Sequence, residues 1–168
     1  MEINAVKLFR EKCEVAMAKV QTIEEFRATD PMVDFVFKVG RELFDRPLDQ
    51  QSPDRLLQLG GKLVGAFPYL GQMSARARAE RDIYSQKLDE TEKEIMIKLL
   101  DSDYKVTQAR AEVAIEVMPI KDIVTFKEAQ KNQWENITEA CQSMVMFCQS
   151  ALRVKEGERF SSSRVQNQ

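Results

Sequence analysis

The chain has 168 residues, 43 % hydrophobic and 31 % charged, with a net charge of −2. This is the make-up of a soluble chain with room for one domain, or for a small domain and an extended arm, and its charge balance gives no sign of a generally basic nucleic-acid binder. Histidine is absent, which removes the commonest general base, the Ser-His and Cys-His nucleophile pairs and most catalytic zinc sites.

The elements read in chain order are helical. Ile3, Val6, Leu8, Phe9, Cys13, Val15, Ala16, Met17 and Val20 recur at helical spacing among charges, and Thr22-Ile23-Glu24-Glu25 matches a capping box. Asp30-Pro31 is a clearer start, with aspartate as the cap and proline at the first helical position. The helix it opens carries Met32, Val33, Phe35, Val36, Phe37, Val39, Leu43 and Phe44 on most of its sides, so it should be the buried helix of an N-terminal bundle, ended by Asp45-Arg46-Pro47-Leu48-Asp49. Ser52-Pro53 repeats the device before Leu56, Leu57, Leu59, Leu63 and Val64. Gly60-Gly61-Lys62 lacks the strand and spacing of a phosphate loop, so Gly60, Gly61 and Gly65 point to close helix packing or a kink. Phe67-Pro68 should break the chain again.

A second long helix is expected from about Tyr69 to Leu100, with Ala77, Tyr84, Leu88, Thr91, Ile95 and Leu99 as its seam. Asp101-Ser102-Asp103 supplies a short turn. Beyond it one apolar seam runs through Val106, Ala109, Val113, Val117, Ile120, Ile123, Phe126, Gln130, Trp134, Ile137, Cys141, Met144, Cys148 and Leu152 in steps of three or four. Two long amphipathic helices joined by a short turn make an antiparallel hairpin. A fold symmetric about Ser102 sets Leu99 near Val106, Leu88 near Val117 and Arg81 near Ile123 or Val124. Pro119 should kink the return helix. Its far half outruns residues 69–100, so Trp134, Ile137, Cys141, Met144, Phe147 and Cys148 are expected either to oligomerise or to receive residues 1–68. From Gly157 the polar sequence has no period and reads as a disordered tail. The fold class is therefore all-α: an N-terminal helical domain over 1–68, a coiled-coil-like hairpin over 69–156 and a tail over 157–168.

Chemistry-bearing residues are few. Cys13, Cys141 and Cys148 read as reduced thiols of a cytoplasmic protein (the host cytoplasm if the chain is viral), and as small buried hydrophobes. No apolar run has the length of a membrane span. The pairs Glu90/Glu94 and Glu112/Glu116 share helix faces with interleaved cations and read as solvated ion-pair surfaces, with no metal or cofactor implied. Arg76, Arg78 and Arg81, spaced by alanine, form a basic cluster level with Lys127 and Lys131, and Lys98, Lys105 and Arg110 lie near the turn. Arginine binds phosphate in a bidentate way, and Tyr84, Tyr104 and Trp134 could stack on bases; the bland reading is solvent faces and core aromatics.

Three runs carry a resemblance over residues 69–156: Lys98-Leu99-Leu100-Asp101 leading into Tyr104, Trp134-Glu135-Asn136-Ile137, and Phe147-Cys148-Gln149-Ser150-Ala151-Leu152 with Lys155 and Gly157 after it. They resemble the phage recombination mediator proteins of the UvsY family. The resemblance implies a ring of hairpin-bearing subunits, a homo-oligomer that binds single-stranded DNA through basic residues near the hairpin. It also implies two protein partners, a strand-exchange recombinase and a single-strand binding protein. On this chain Lys98, Lys105 and Arg110 are the nearest positions, with Arg76, Arg78 and Arg81 as a second group suggested by composition alone. The alternative is a helical adaptor or phage-encoded inhibitor that binds a protein without nucleic acid. No nucleophile–base pair or phosphate loop points to an enzyme.

Overall fold

The computed structural model describes residues 30–102 and 104–165, with side chains as far as Gly157. The stretches 3–20 and 22–25, Cys13 and Asp103 lie outside the described residues. The described chain is all-α: α1 (Pro31–Phe44), a 3-10 turn (Leu48–Gln50), α2 (Pro53–Asp101), α3 (Val106–Glu116) and α4 (Met118–Val165).

Both cap-and-proline signals act as helix starts. Asp30 Oδ1 accepts the N–H groups of Met32 and Val33 at 2.8 and 3.2 Å, and Ser52 Oγ accepts that of Arg55 at 3.2 Å. Each bond satisfies an orphan donor of the first turn, worth about 1 kcal/mol. The other carboxylate oxygen of Asp30 accepts the Tyr69 hydroxyl at 2.7 Å, so one aspartate caps α1 and ties it to α2. That bond, with burial and the Asp30 charge, raises the Tyr69 pKa above its ordinary value. At the other end of α1, Gln51 is buried and its Nε2 donates to the Leu43 and Arg46 carbonyls at 2.7 and 2.9 Å.

The chain divides into two compact units, one of residues 1–71 with 135–168, the other of residues 72–134. This differs from a division at 68 and 156, because the end of α4 belongs with α1 and the start of α2.

The first unit is the helical bundle. Val33, Val36, Phe37, Val39 and Leu43 of α1, Leu56, Leu59, Leu63, Ala66 and Leu70 of α2, and Ile137, Cys141, Met144, Phe147 and Cys148 of α4 are all buried. The Phe44 and Phe147 rings meet edge to face at 5.3 Å. A Cβ added at Gly60 would stand 3.3 Å from Cys148 Cβ, so this glycine permits close approach of α2 and α4; at Gly61 and Gly65 the space is open.

The second unit is the hairpin, α2 running out and α3 with the start of α4 running back. The Leu99 carbonyl accepts the N–H groups of Ser102 and Tyr104 at 3.1 and 3.2 Å and closes the helix end. Arg81 Nε meets Glu128 Oε2 at 2.7 Å, and Lys127 Nζ meets Glu80 Oε2 at 2.7 Å. The partner of Arg81 therefore lies about one helical turn beyond the Ile123 or Val124 that a turn centred on Ser102 predicts. The connection between α2 and α3 extends to Lys105, which moves its centre along the chain.

Two local expectations, at Pro68 and over the tail, are corrected. Pro68 does not break the chain: α2 is continuous through it. Proline in a helix removes one hydrogen bond and clashes with the carbonyl four residues back, a cost of about 3 kcal/mol. Here Pro68 is exposed while Leu63, Ala66 and Leu70 stay buried on the opposite stripe, so the packing holds the helix. At Pro119 the return helix is interrupted, as expected, by a single residue, Val117, whose backbone stays in the right-handed helical region. Val117 ends α3, and Pro119 falls in the first turn of α4, where its missing N–H costs nothing. The expected tail is helical as far as Val165; a lone glycine costs a helix only about 1 kcal/mol, and no proline follows.

Candidate functional site

The hairpin unit carries all six basic candidates. Arg76, Arg78 and Arg81 lie along one stretch of α2, but carboxylates already hold two of them. Arg76 Nε meets Glu80 Oε1 at 2.9 Å. Arg81 meets Asp82 Oδ1 at 2.9 Å as well as Glu128. Lys131 Nζ meets Glu128 Oε1 at 2.9 Å. Arg78 is exposed and also engaged in an interaction of its own. The result is a ladder of alternating charge linking α2 to α4, anchored by Glu80 and Glu128. Hydrogen bonds from Lys127 and then Arg76 hold the Glu80 carboxyl below its ordinary pKa; Lys131 and then Arg81 do the same for Glu128. Asp82 and Glu128 push the Arg81 guanidinium further toward its charged form. Sequence reading missed the ladder's acidic half because i,i+4 pairing is visible on one helix, whereas the Arg81–Glu128 and Lys127–Glu80 links depend on register between two.

The second basic group is different. Lys98 at the end of α2, Lys105 in the connection and Arg110 on α3 are exposed and form no ion pair among the described residues. Of the aromatic candidates, Tyr104 beside them is 44 % exposed. Tyr84 is half-buried, with Lys127 Nζ 6.0 Å from its ring centre, and Trp134 is buried. Stacking on a base is thus open to Tyr104 and closed to Trp134.

The residues expected to oligomerise are not a surface. Ile137, Cys141, Met144, Phe147 and Cys148 are core side chains of the bundle unit, and Trp134 is buried as well. Of the two expectations for this length of α4, the one realised is packing against residues from the N-terminal part of the chain. The sulfur of Cys141 lies 3.5 Å from the Leu63 carbonyl. Burial pushes the Cys141 thiol up to about 12 and the Cys148 thiol to about 11. Both are therefore packing groups and poor nucleophiles at neutral pH.

What the hairpin does expose is apolar. Ile83, Ile97, Leu100, Val106, Ile115, Met118, Ile123 and Phe126 all lie on this unit, between 40 and 66 % exposed. Sequence reading placed Val106, Ile123 and Phe126 in the seam, yet they face largely outward. An open groove of about 500 Å³ lies beside α2, lined by Asp89, Glu92, Lys93, Met96, Ile97 and Val113. Glu92 is tied to Lys121 at 3.0 Å. Among the described residues no group of three or more His, Cys, Asp or Glu side chains could hold a metal ion. No described helix is long and apolar enough to cross a membrane.

The described residues form a helical bundle unit and a two-helix hairpin unit with exposed apolar side chains. No family model, no curated protein and no solved structure matches the chain.

Proposed function

We propose that the chain is a non-enzymatic helical binding protein that engages a protein partner through the apolar faces of its hairpin. The observation that carries this reading is the concentration of large exposed apolar side chains on that unit, above all Ile83, Ile97, Ile115, Met118 and Phe126, against Leu57, Val64 and Met146 on the bundle. Single exposed apolar residues are ordinary, but a group of them on one slender element marks an interaction surface. The ion-pairing of Arg76 and Arg81 supports the same reading, since carboxylates already occupy the groups a phosphate would need. In the test, purified, nuclease-treated full-length chain is used to isolate a stoichiometric partner, and the capture is repeated with Ile115→Asp and Phe126→Asp. Loss of the partner with retained helicity is expected; capture that survives both changes would overturn the assignment to this surface.

A second reading, a single-stranded-DNA-binding recombination mediator that helps load a recombinase, is favoured by Lys98, Lys105 and Arg110. These exposed cations flank Tyr104 and form no ion pairs among the described residues. The resemblance to recombination mediators supports it too. On this reading, labelled oligo-dT binds at low salt, its affinity falls steeply as salt rises because phosphate contacts release counterions, and the triple Lys98→Glu, Lys105→Glu, Arg110→Glu variant loses binding. No oligo-dT binding at low salt would rule it out.

A further inference from the structure

The exposed flank of α2 near the hairpin turn holds a pattern that is its own complement. Lys93, Ile97 and Asp101 are spaced four residues apart, so they follow one another along one side of the helix. All three are exposed, Ile97 by 59 %. Lys93 and Asp101 lie eight residues apart, a rise of about 12 Å, too far to pair with each other within the helix. Neither forms an ion pair among the described residues. Leu100, 41 % exposed, stands beside Ile97 one turn on, and Met96 and Val113 continue the apolar surface into the adjoining groove.

We propose that this stripe is a two-fold interface with a second copy of the chain, the two α2 helices lying antiparallel with their Ile97 side chains at the axis. A two-fold axis at Ile97 sets the residue four positions before it against the residue four positions after it. Lys93 of one copy then meets Asp101 of the other, and Asp101 meets Lys93, closing two ion pairs around the apolar contact. Self-complementarity of this kind is what an isologous interface requires. A nucleic-acid strand would face an apolar side chain and a carboxylate here, and an unrelated partner would have to bring the reversed charge pattern. The inference deepens the reading of the hairpin as an interaction surface and rests on it only for that exposure. The contact is small, so association is weak and concentration-dependent, and salt that screens its rim charges loosens it.

The test is the mass of the full chain by sedimentation equilibrium, without nucleic acid, between about 5 and 500 µM at low salt. A reversible monomer–dimer equilibrium is expected. Ile97→Asp should weaken it at least about tenfold, as should Lys93→Asp or Asp101→Lys alone, since each single change sets like charges opposite each other. The double variant Lys93→Asp/Asp101→Lys restores the opposite-charge contacts and should recover dimerisation to within about threefold, the signature of direct coupling. Far-UV circular dichroism checks that each variant is folded, which the exposure of all three sites favours. A chain monomeric throughout this range, a dimer indifferent to Ile97→Asp, or a double variant no better than the singles would each overturn the proposal. Partner capture and oligo-dT binding are assayed separately on Asp101→Lys, which leaves every apolar side chain of the hairpin in place, so failure of the dimer is distinguishable from failure of either functional reading.

Discussion

The bundle and the hairpin draw on the same two long helices, α2 and α4, and on similar apolar spacing, yet they bury it very differently. In the bundle, α1 adds a third wall. Leu56, Leu59, Leu63 and Leu70 on α2 and Ile137, Met144 and Cys148 on α4 are all at most 2 % exposed. In the hairpin there is no third helix among the described residues, and the buried apolar side chains are mainly the smaller Ala77, Ala109, Val113 and Val117, with Trp134. Much of what links its two arms is charge: Arg81–Glu128, Lys127–Glu80 and Lys121–Glu92. Solvent screens exposed pairs of this sort, so each holds the arms together far less than a buried apolar contact does. A heptad-like stripe thus specifies a helix face, but the number of neighbours decides whether that face becomes core or surface.

The sharpest way to break this comparison is to cut into both regions. Leu63→Ala or Met144→Ala should cost about 2–5 kcal/mol of stability in urea unfolding, because each removes fully buried volume that its neighbours cannot refill. Ile115→Ala and Phe126→Ala should fall within about 0.5 kcal/mol of the parent. Equal costs at the two sets would erase the distinction.

Thiol chemistry probes the bundle from another side. With Cys141 and Cys148 raised from 9.0 to about 12 and about 11, their thiolate fractions at pH 8 fall roughly 1,000-fold and 100-fold below an ordinary cysteine. In a Cys13→Ser background the folded chain should leave a disulfide reagent essentially unreacted, and should release both thiols on unfolding. Rapid reaction of the folded chain would mean that the bundle is open.

The glycines of α2 give a smaller, signed effect. Gly61→Ala and Gly65→Ala add a Cβ into open space and should stabilise by about 0.5–1 kcal/mol each through lower unfolded-state entropy and better helix propensity. Gly60→Ala should show less gain or a loss, because its new Cβ presses on Cys148 Cβ at 3.3 Å. Thermal melts of the three variants, compared with the parent, read the difference directly.

The smallest expected effect belongs to the hairpin's ion ladder. Glu80 and Glu128 have folded pKa values below their ordinary 4.5. Their contribution is therefore complete above the ordinary value and is lost as pH falls through the depressed one. Hairpin amides should lose protection on acidification before bundle amides do, and added salt should mimic part of that loss. An acid response that starts in the bundle would assign the ladder no role.

Several of these features were legible in the sequence because they are local. Asp30-Pro31 and Ser52-Pro53 encode caps in neighbouring residues, and the turn after Asp101 interrupts an otherwise unbroken period. What escaped depended on partners distant in the chain. Pro68 looks like a break until the buried stripe from Leu56 to Leu70 is seen to run past it. The Trp134–Cys148 seam looks like an oligomer surface until the leucines of α2 and Phe44 of α1 are found against it. The arginines look available for phosphate until the register of the hairpin brings Glu128 to Arg81. The outward turn of Ile123 and Phe126 has the same origin, since periodicity marks an apolar face without counting the helices available to cover it.

The most direct measurement is amide hydrogen exchange of the full chain, followed by mass spectrometry at two protein concentrations about a hundredfold apart. Residues 33–43, 56–70 and 137–151 are predicted to exchange slowest, with protection independent of concentration, because their core is built within one chain. Residues 83–100 and 106–128 should exchange earlier. Exchange over 137–151 as fast as over 106–117, or protection there that appears only at high concentration, would contradict an intramolecular bundle and return that segment to an oligomer interface.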